Sequence, residues 1–126
     1  MRAVLFVCEG NIFRSQIAEA VFRARAPVGW TAASAGTQVR QDALHPEAVE
    51  LMREIGISMA GQTPKPLTQE ALAAASRVVA ICDGVDGERW PVVDPADLLK
   101  TRWREIRDDL VARVDKLIGR LERLGE

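Results

Sequence analysis

The sequence predicts an α/β fold: a three-layer, open, parallel four-stranded sheet with helices on both faces. Three observations predict it. The chain opens on a wholly apolar run, Ala3-Val4-Leu5-Phe6-Val7, the pattern of a strand covered on both sides. Strand-like runs then alternate with segments of helical period, which is how parallel sheets are connected. The composition suits one such domain over residues 1–126, with 48% apolar and 28% charged residues. A chain of that length buries roughly two-thirds of the surface it exposes when unfolded.

The elements follow in order. Ala3–Val7 is the first strand, and Glu9-Gly10-Asn11 breaks it. Ile17, Ala18, Val21 and Phe22 then fall on one face of a 3.6-residue period and predict a helix, which Pro27 and Gly29 end. Trp30–Ala35 is the second strand, closed by Gly36, and Gln38–Leu44 is loop. Pro46 suits a first helical turn, followed by the stripe Ala48, Leu51, Met52 and Ile55, with Gly56 where a C-cap belongs. Gly61–Pro66 is irregular, and Thr68 caps a short Ala-rich helix over Gln69–Ala75. Val78–Ile81 is the third strand, Asp83–Gly87 a turn-rich connection and Pro91–Val93 a last short strand. A closing helix starts between Asp97 and Thr101 and carries the stripe Trp103, Ile106, Leu110, Val114, Leu117 and Leu121.

Composition excludes several functions. Seventeen basic against eighteen acidic residues leave a formal charge of −1, so no basic excess draws the chain to nucleic acid or anionic lipid. The apolar start is too short for a membrane span or a signal peptide, which makes the cytoplasm the default compartment. Two cysteines and one histidine cannot complete a four-ligand zinc site, so no metal centre is expected. A structural disulfide is disfavoured in the cytosol. The cysteines are therefore core residues, reactive thiols, or one of each.

Ligands of open parallel sheets bind beyond the carboxyl ends of the strands. The first strand ends in Cys8-Glu9-Gly10-Asn11-Ile12-Phe13-Arg14-Ser15. A strand end and a helix start joined by so few residues must curl. Such a curl turns successive N–H groups of Gly10, Asn11, Ile12 and Phe13 inward as an anion nest at a positive helix terminus. Arg14 adds a planar fork suited to a tetrahedral oxyanion. The same field favours the thiolate of Cys8, and Ser15 can donate its hydroxyl to that sulfur. Glu9 should face outward if the N–H groups face in. The plainer reading is a packed strand cysteine beside a surface arginine, but the Arg-Ser pair at the helix start and the Gly10-Asn11 bend weigh against it. No Gly-x4-Gly-Lys-Ser/Thr is present, so this is not a nucleotide P-loop.

Cys-Glu-Gly-Asn-Ile-Phe-Arg-Ser-Gln-Ile-Ala-Glu resembles the loop of the low-molecular-weight protein tyrosine phosphatases and of the arsenate reductases that share their fold. The resemblance extends over almost the whole chain: Ser34-Ala35-Gly36-Thr37, His45-Pro46-Glu47-Ala48, Gly56-Ile57, Asp94-Pro95 and Arg104-Glu105-Ile106-Arg107-Asp108 all match. It implies that Cys8 is the nucleophile, that Arg14 and the loop hold an arsenate or phosphate oxyanion, and that Asp94 is the general acid. Gln16 after Arg14-Ser15, and Ala96 after Asp94-Pro95 in a chain without tyrosine, are closer to the reductases than to the phosphatases. The reductase reading requires an external thiol reductant, a thioredoxin, mycothiol or glutaredoxin system. One feature departs from the thioredoxin-coupled pattern, because Cys82 is the only other cysteine. Either it forms a disulfide with Cys8 directly, or an external thiol takes over and Cys82 is core. Some family members hold a potassium ion near the equivalents of Asn11, Glu19 and Ser34, and Lys65 is read as a built-in cation in its place. His45 is read as a loop or cap residue, Trp30 and Trp103 as core, and Trp90 as a wall of the site.

Overall fold

The computed structural model describes residues 1–125. Its elements are β1 (Arg2–Cys8), α1 (Arg14–Arg25), β2 (Trp30–Gly36), α2 (Pro46–Arg53), α3 (Gln69–Ala74), β3 (Arg77–Ala80), β4 (Glu88–Arg89) and α4 (Trp103–Arg123). Two 3₁₀ turns, Pro95–Asp97 and Lys100–Arg102, lead into α4. The strands form one sheet in the order β2-β1-β3-β4, and every pairing is parallel. β1 pairs along its whole length with β2, from Arg2 opposite Trp30 to Cys8 opposite Gly36. Its other edge takes β3, with Val4 opposite Arg77 and Val7 opposite Ala80. The chain leaves β1 toward one edge of the sheet and β3 toward the other. The switch point of the topology therefore lies between their carboxyl ends, where the Cys8–Ser15 loop begins.

Side-chain alternation along β1 divides the core. Val4, Phe6 and Cys8 face α1, α2 and α4, with Phe22, Met52, Leu110 and Leu117 among their cluster. Leu5 and Val7 face the opposite way, into a smaller cluster with Ala35 and Cys82 that α3 covers through Ala71 and Leu72. The closing stripe is as read from the sequence: Ile106, Leu110, Val114, Leu117 and Leu121 are all buried. α2 and α4 are pinned together at Glu54. Arg107 donates to the Leu51 carbonyl at 3.0 Å and to Glu54 at 2.7 Å, and Arg104 reaches the same carboxylate. Hydrogen bonding to Arg104, with Arg107 beside it, holds the Glu54 carboxyl below the usual range.

The structure corrects three expectations. The last strand is Glu88–Arg89, not Pro91–Val93. Pro91 has no N–H to give to a ladder, so pairing stops after Val79–Glu88 and Ala80–Arg89. The two tryptophans after the sheet exchange roles. Trp90 is buried, its ring 5.6 Å from that of Phe6, with its Nε1 donating to Glu88 at 2.7 Å. It is core and does not wall the site. Trp103 is only partly buried and does line the site, because the helix begins at that residue and its first turn projects beyond the sheet. The helix start is also later than the Asp97–Thr101 window, the two 3₁₀ turns occupying the difference.

Candidate active site

The loop after β1 is held open from outside. Its carbonyls are taken by neighbouring segments: Cys8 O by Thr37 N at 3.0 Å, Glu9 O by Gln38 N at 2.8 Å and Ile12 O by His45 N at 3.1 Å. Among the described residues, the N–H groups of Gly10, Ile12 and Phe13 donate to no protein group. With carbonyls turned out, the N–H groups turn in, and Asn11 supplies the change of handedness that curls the chain, at φ 55°. Gly36 makes room for the curl. A Cβ there would lie 2.5 Å from the Glu9 oxygen and 2.9 Å from Asn11 Cβ. Glu9 is exposed, as the inward N–H groups require.

Cys8 Sγ sits at the floor of this loop. Ser15 Oγ lies 2.8 Å from it and the Asn11 N–H 3.3 Å. The Asn11 carboxamide donates in turn to Ser15 Oγ at 2.7 Å. Arg14 is buried at the first residue of α1. Its Nη1 donates to the Val92 carbonyl at 3.1 Å, and its Nη2 lies 3.4 Å from Asp94 Oδ2. Asp94 caps the following 3₁₀ turn through Oδ1, which accepts from Ala96 N at 2.9 Å. The structure thus brings Cys8, Arg14 and Asp94 together although Asp94 lies on a distant part of the chain.

A cleft of about 350 Å³ opens above the loop. Cys8 to Arg14 form its floor, and Asp94, Pro95 and Ala96 one wall. Gln38, Arg40 and Gln41 form another side, and His45 and Trp103 close it. The two rings pack edge to face at 5.2 Å, and Phe13 lies against both. His45 is a cap, as read from the sequence: its Nδ1 accepts from Glu47 N at 3.1 Å. Trp103 Nε1 donates to the carbonyls of Pro95 and Leu98, each at 3.0 Å, and so fixes the segment that carries Asp94.

Residues 3–88 match the family model of the low molecular weight phosphotyrosine protein phosphatases. The chain belongs to that family. An arsenate reductase of Brevibacillus brevis is 29% identical over 91% of this chain and 92% of its own length. An arsenate reductase solved in a phosphate-binding state superposes with a TM-score of 0.82 at 29% identity, over 95% of this chain and 98% of its own. A low molecular weight protein tyrosine phosphatase from T. tengcongensis superposes with a TM-score of 0.81, also at 29% identity, over 96% of this chain and 100% of its own. These two solved structures, one named a reductase and one a phosphatase, are equally near by identity. Asp94 lies beyond the matched residues, so its place at the site rests on the geometry above.

Two further positions in this phosphatase-family chain bear on the sequence reading. Cys82 follows β3 but faces the α3 side with Leu5, Val7 and Ala35, while Cys8 faces the other side of the sheet. It does not line the cleft. Its sulfur lies 4.0 Å from Thr37 Oγ1, and burial pushes its thiol up from the ordinary range. Lys65 does approach the carboxylate proposed for it, with Nζ 3.9 Å from Glu19 Oε1 and 2.8 Å from the Thr63 carbonyl. Glu19 is buried and also takes Ser34 Oγ at 2.6 Å and Arg23 at 3.2 Å. The sequence reading missed Gln38, Arg40 and Gln41 as cleft residues. It treated Gln16 only as a mark of resemblance: Gln16 lies off the Ile17, Ala18, Val21 and Phe22 stripe, so nothing in the local pattern marked its burial.

Proposed function

We propose that the protein is an arsenate reductase working in the cytoplasm with an external thiol. The observation that carries the reading is the meeting of a thiol sulfur, a guanidinium and a carboxyl around one anion-shaped loop. The Cys8 thiolate attacks arsenic in line and an As–O bond breaks. Asp94 gives its proton to the departing oxygen, which leaves as water once a second proton is taken from solvent. Arg14 and the inward N–H groups hold the remaining oxygens and the charge that develops on them. A thiolate then attacks Cys8 Sγ. The S–S bond forms as the S–As bond breaks, its electron pair stays on arsenic, and arsenite departs. A second thiol returns Cys8 to its reduced form. Each arsenate thus consumes two thiols and yields one disulfide.

The attacking thiol is external. Cys82 faces away from Cys8 and is held protonated by burial, which supports the external donor over a Cys8–Cys82 disulfide. Gln16 following Ser15, and Ala96 in place of an aromatic after Asp94-Pro95, favour the reductase branch over ester hydrolysis. A phosphatase would use the same loop, with water hydrolysing a phospho-Cys8 intermediate. The deciding experiment measures arsenite release with thioredoxin, glutaredoxin and small-thiol donors beside hydrolysis of an aryl phosphate. Arsenite release with at least one donor supports the reductase. Hydrolysis with no arsenite from any donor gives the site to the phosphatase.

A further inference from the structure

Gln16 takes no part in the chemistry above, yet it is wholly buried on the first turn of α1. Its carboxamide nitrogen lies 3.1 Å from the Asn11 carbonyl, 3.0 Å from Asn11 Oδ1 and 2.9 Å from the Thr63 carbonyl. Backbone carbonyls only accept, so the group facing them is the NH2. The oxygen of Gln16 then faces Gln62. The Gln62 nitrogen reaches it at 2.7 Å and also donates to the Gln16 carbonyl at 3.1 Å. On the other side, the Lys65 N–H meets Asn11 Oδ1 at 2.8 Å. A backbone N–H only donates, so the oxygen of Asn11 points back and its NH2 points forward to Ser15. Ser15 Oγ receives that hydrogen, and its own hydrogen is left for the Cys8 sulfur. The three carboxamides, of Gln62, Gln16 and Asn11, are each anchored by a backbone group of one polarity, and Asn11 in turn orients Ser15.

We propose that Gln16 is a positioning residue that fixes the direction of the hydrogen-bond chain Gln62, Gln16, Asn11, Ser15, Cys8, so that its last hydrogen points at the sulfur. The inference rests on Cys8 being the nucleophile. Gln16 clasps the 62–65 segment to the back of the loop through Thr63. Without it, Asn11 Oδ1 loses one donor directly and its hold on the Lys65 N–H as well. The Asn11 carboxamide is then free to turn over. Its oxygen would face Ser15 and take the hydroxyl hydrogen, and the sulfur would lose a charge-assisted hydrogen bond. The charged and titratable groups around Cys8 are Glu9 and Arg14 of its own loop, Arg40 and His45 across the cleft, Asp94 from the segment before α4, and the Cys82 thiol beyond the neighbouring strand. Behind the loop stand Glu19 and Lys65. A neutral substitution at Gln16 changes none of them.

The test is the pH dependence of Cys8 alkylation by iodoacetamide, in a Cys82→Ala background so that one thiol reports. Gln16→Met keeps length and neutrality but cannot donate. It should raise the alkylation midpoint by about one pH unit, the size of one hydrogen bond to a charged group. In a Ser15→Ala background, Gln16→Met should move the midpoint no further, because the two act in series. Gln62→Met, at a half-buried position, should move it the same way by less, and it decides the matter if Gln16→Met does not fold. An unmoved midpoint in the folded variant overturns the proposal. So does an equal rise with and without Ser15, which would mean loosened packing. These outcomes are separate from the functional reading, which fails if no donor yields arsenite or if Cys8→Ser keeps its turnover.

Discussion

Two cysteines stand at the ends of neighbouring parallel strands, and the same side chain becomes two different things. At the end of β1, Cys8 meets Ser15 Oγ, the Asn11 N–H and a loop whose Cys8, Glu9 and Ile12 carbonyls are engaged by other segments. Beyond β3, Cys82 meets Leu5, Val7 and Ala35 and a distant hydroxyl. The residues that follow make the difference. After Cys8 the chain curls into a helix that starts with Arg14, and N–H groups and a guanidinium converge. After Cys82 it runs into the Asp83–Gly87 turns, and burial is the main influence on the sulfur, opposed by the Thr37 hydroxyl. On the function proposed above, reactivity belongs to the strand exit, not to the thiol.

The largest test of that contrast is to remove each sulfur. Cys8→Ser should abolish arsenite release and phosphate-ester hydrolysis alike, since an unactivated hydroxyl is a far weaker nucleophile. Residual turnover dependent on Cys82 would erase the distinction. Next, Arg14→Lys keeps the charge but loses the two-pronged contact to a tetrahedral anion. Turnover should fall on the order of 10²-fold, measured as kcat with arsenate or an aryl phosphate. Near-normal rates would show that the loop alone makes Cys8 special.

A smaller, graded effect belongs to Asp94. Asp94→Asn cannot supply a proton, so hydrolysis should slow most for aryl phosphates with poor leaving groups and little for good ones. Equal slowing across the series would make Asp94 a cap of its turn and nothing more. The smallest effect is at Cys82. Cys82→Ala should leave arsenite release with an external thiol within about twofold and cost about 1 kcal/mol of stability through the small cavity left behind. The stability difference should depend on pH. Because the folded state holds the Cys82 thiol above its unfolded range, that residue's contribution is intact below the unfolded range. It is lost as pH rises through the raised value. Denaturant melts should therefore show the variant's deficit shrinking at alkaline pH, and a constant deficit would place Cys82 outside the linkage.

Much of this was legible in the chain because it is contiguous. The apolar Ala3–Val7 run, the helical stripes and the Cys8–Ser15 segment each carry their signal within a few residues, and the structure shows β1, α1, α2 and α4 where those signals lie. What the sequence reading missed depends on partners far along the chain. Gln62 meets Gln16 across 46 positions, and no local pattern marks that pair. Trp90 and Trp103 were exchanged because hydrophobicity says that a side chain is large and apolar but not how deep its element sits. The short pairing of Glu88–Arg89 was overlooked because two residues carry no period. Asp94 was found through family resemblance alone, since an Asp-Pro turn has many uses.

The hold of Trp103 on the carbonyls of Pro95 and Leu98 makes the site a two-part assembly. The loop proposed as the anion cup belongs to the amino-terminal third, and Asp94, the proposed proton donor, hangs from the first turn of the closing helix. Trp103→Phe keeps a large aromatic ring but removes both hydrogen bonds, freeing the Asp94 segment while the cup keeps its own bonds. Such a variant should still retain an oxyanion on the cup while turnover falls. Anion capture and chemical conversion would then separate as two physical modules of one short chain.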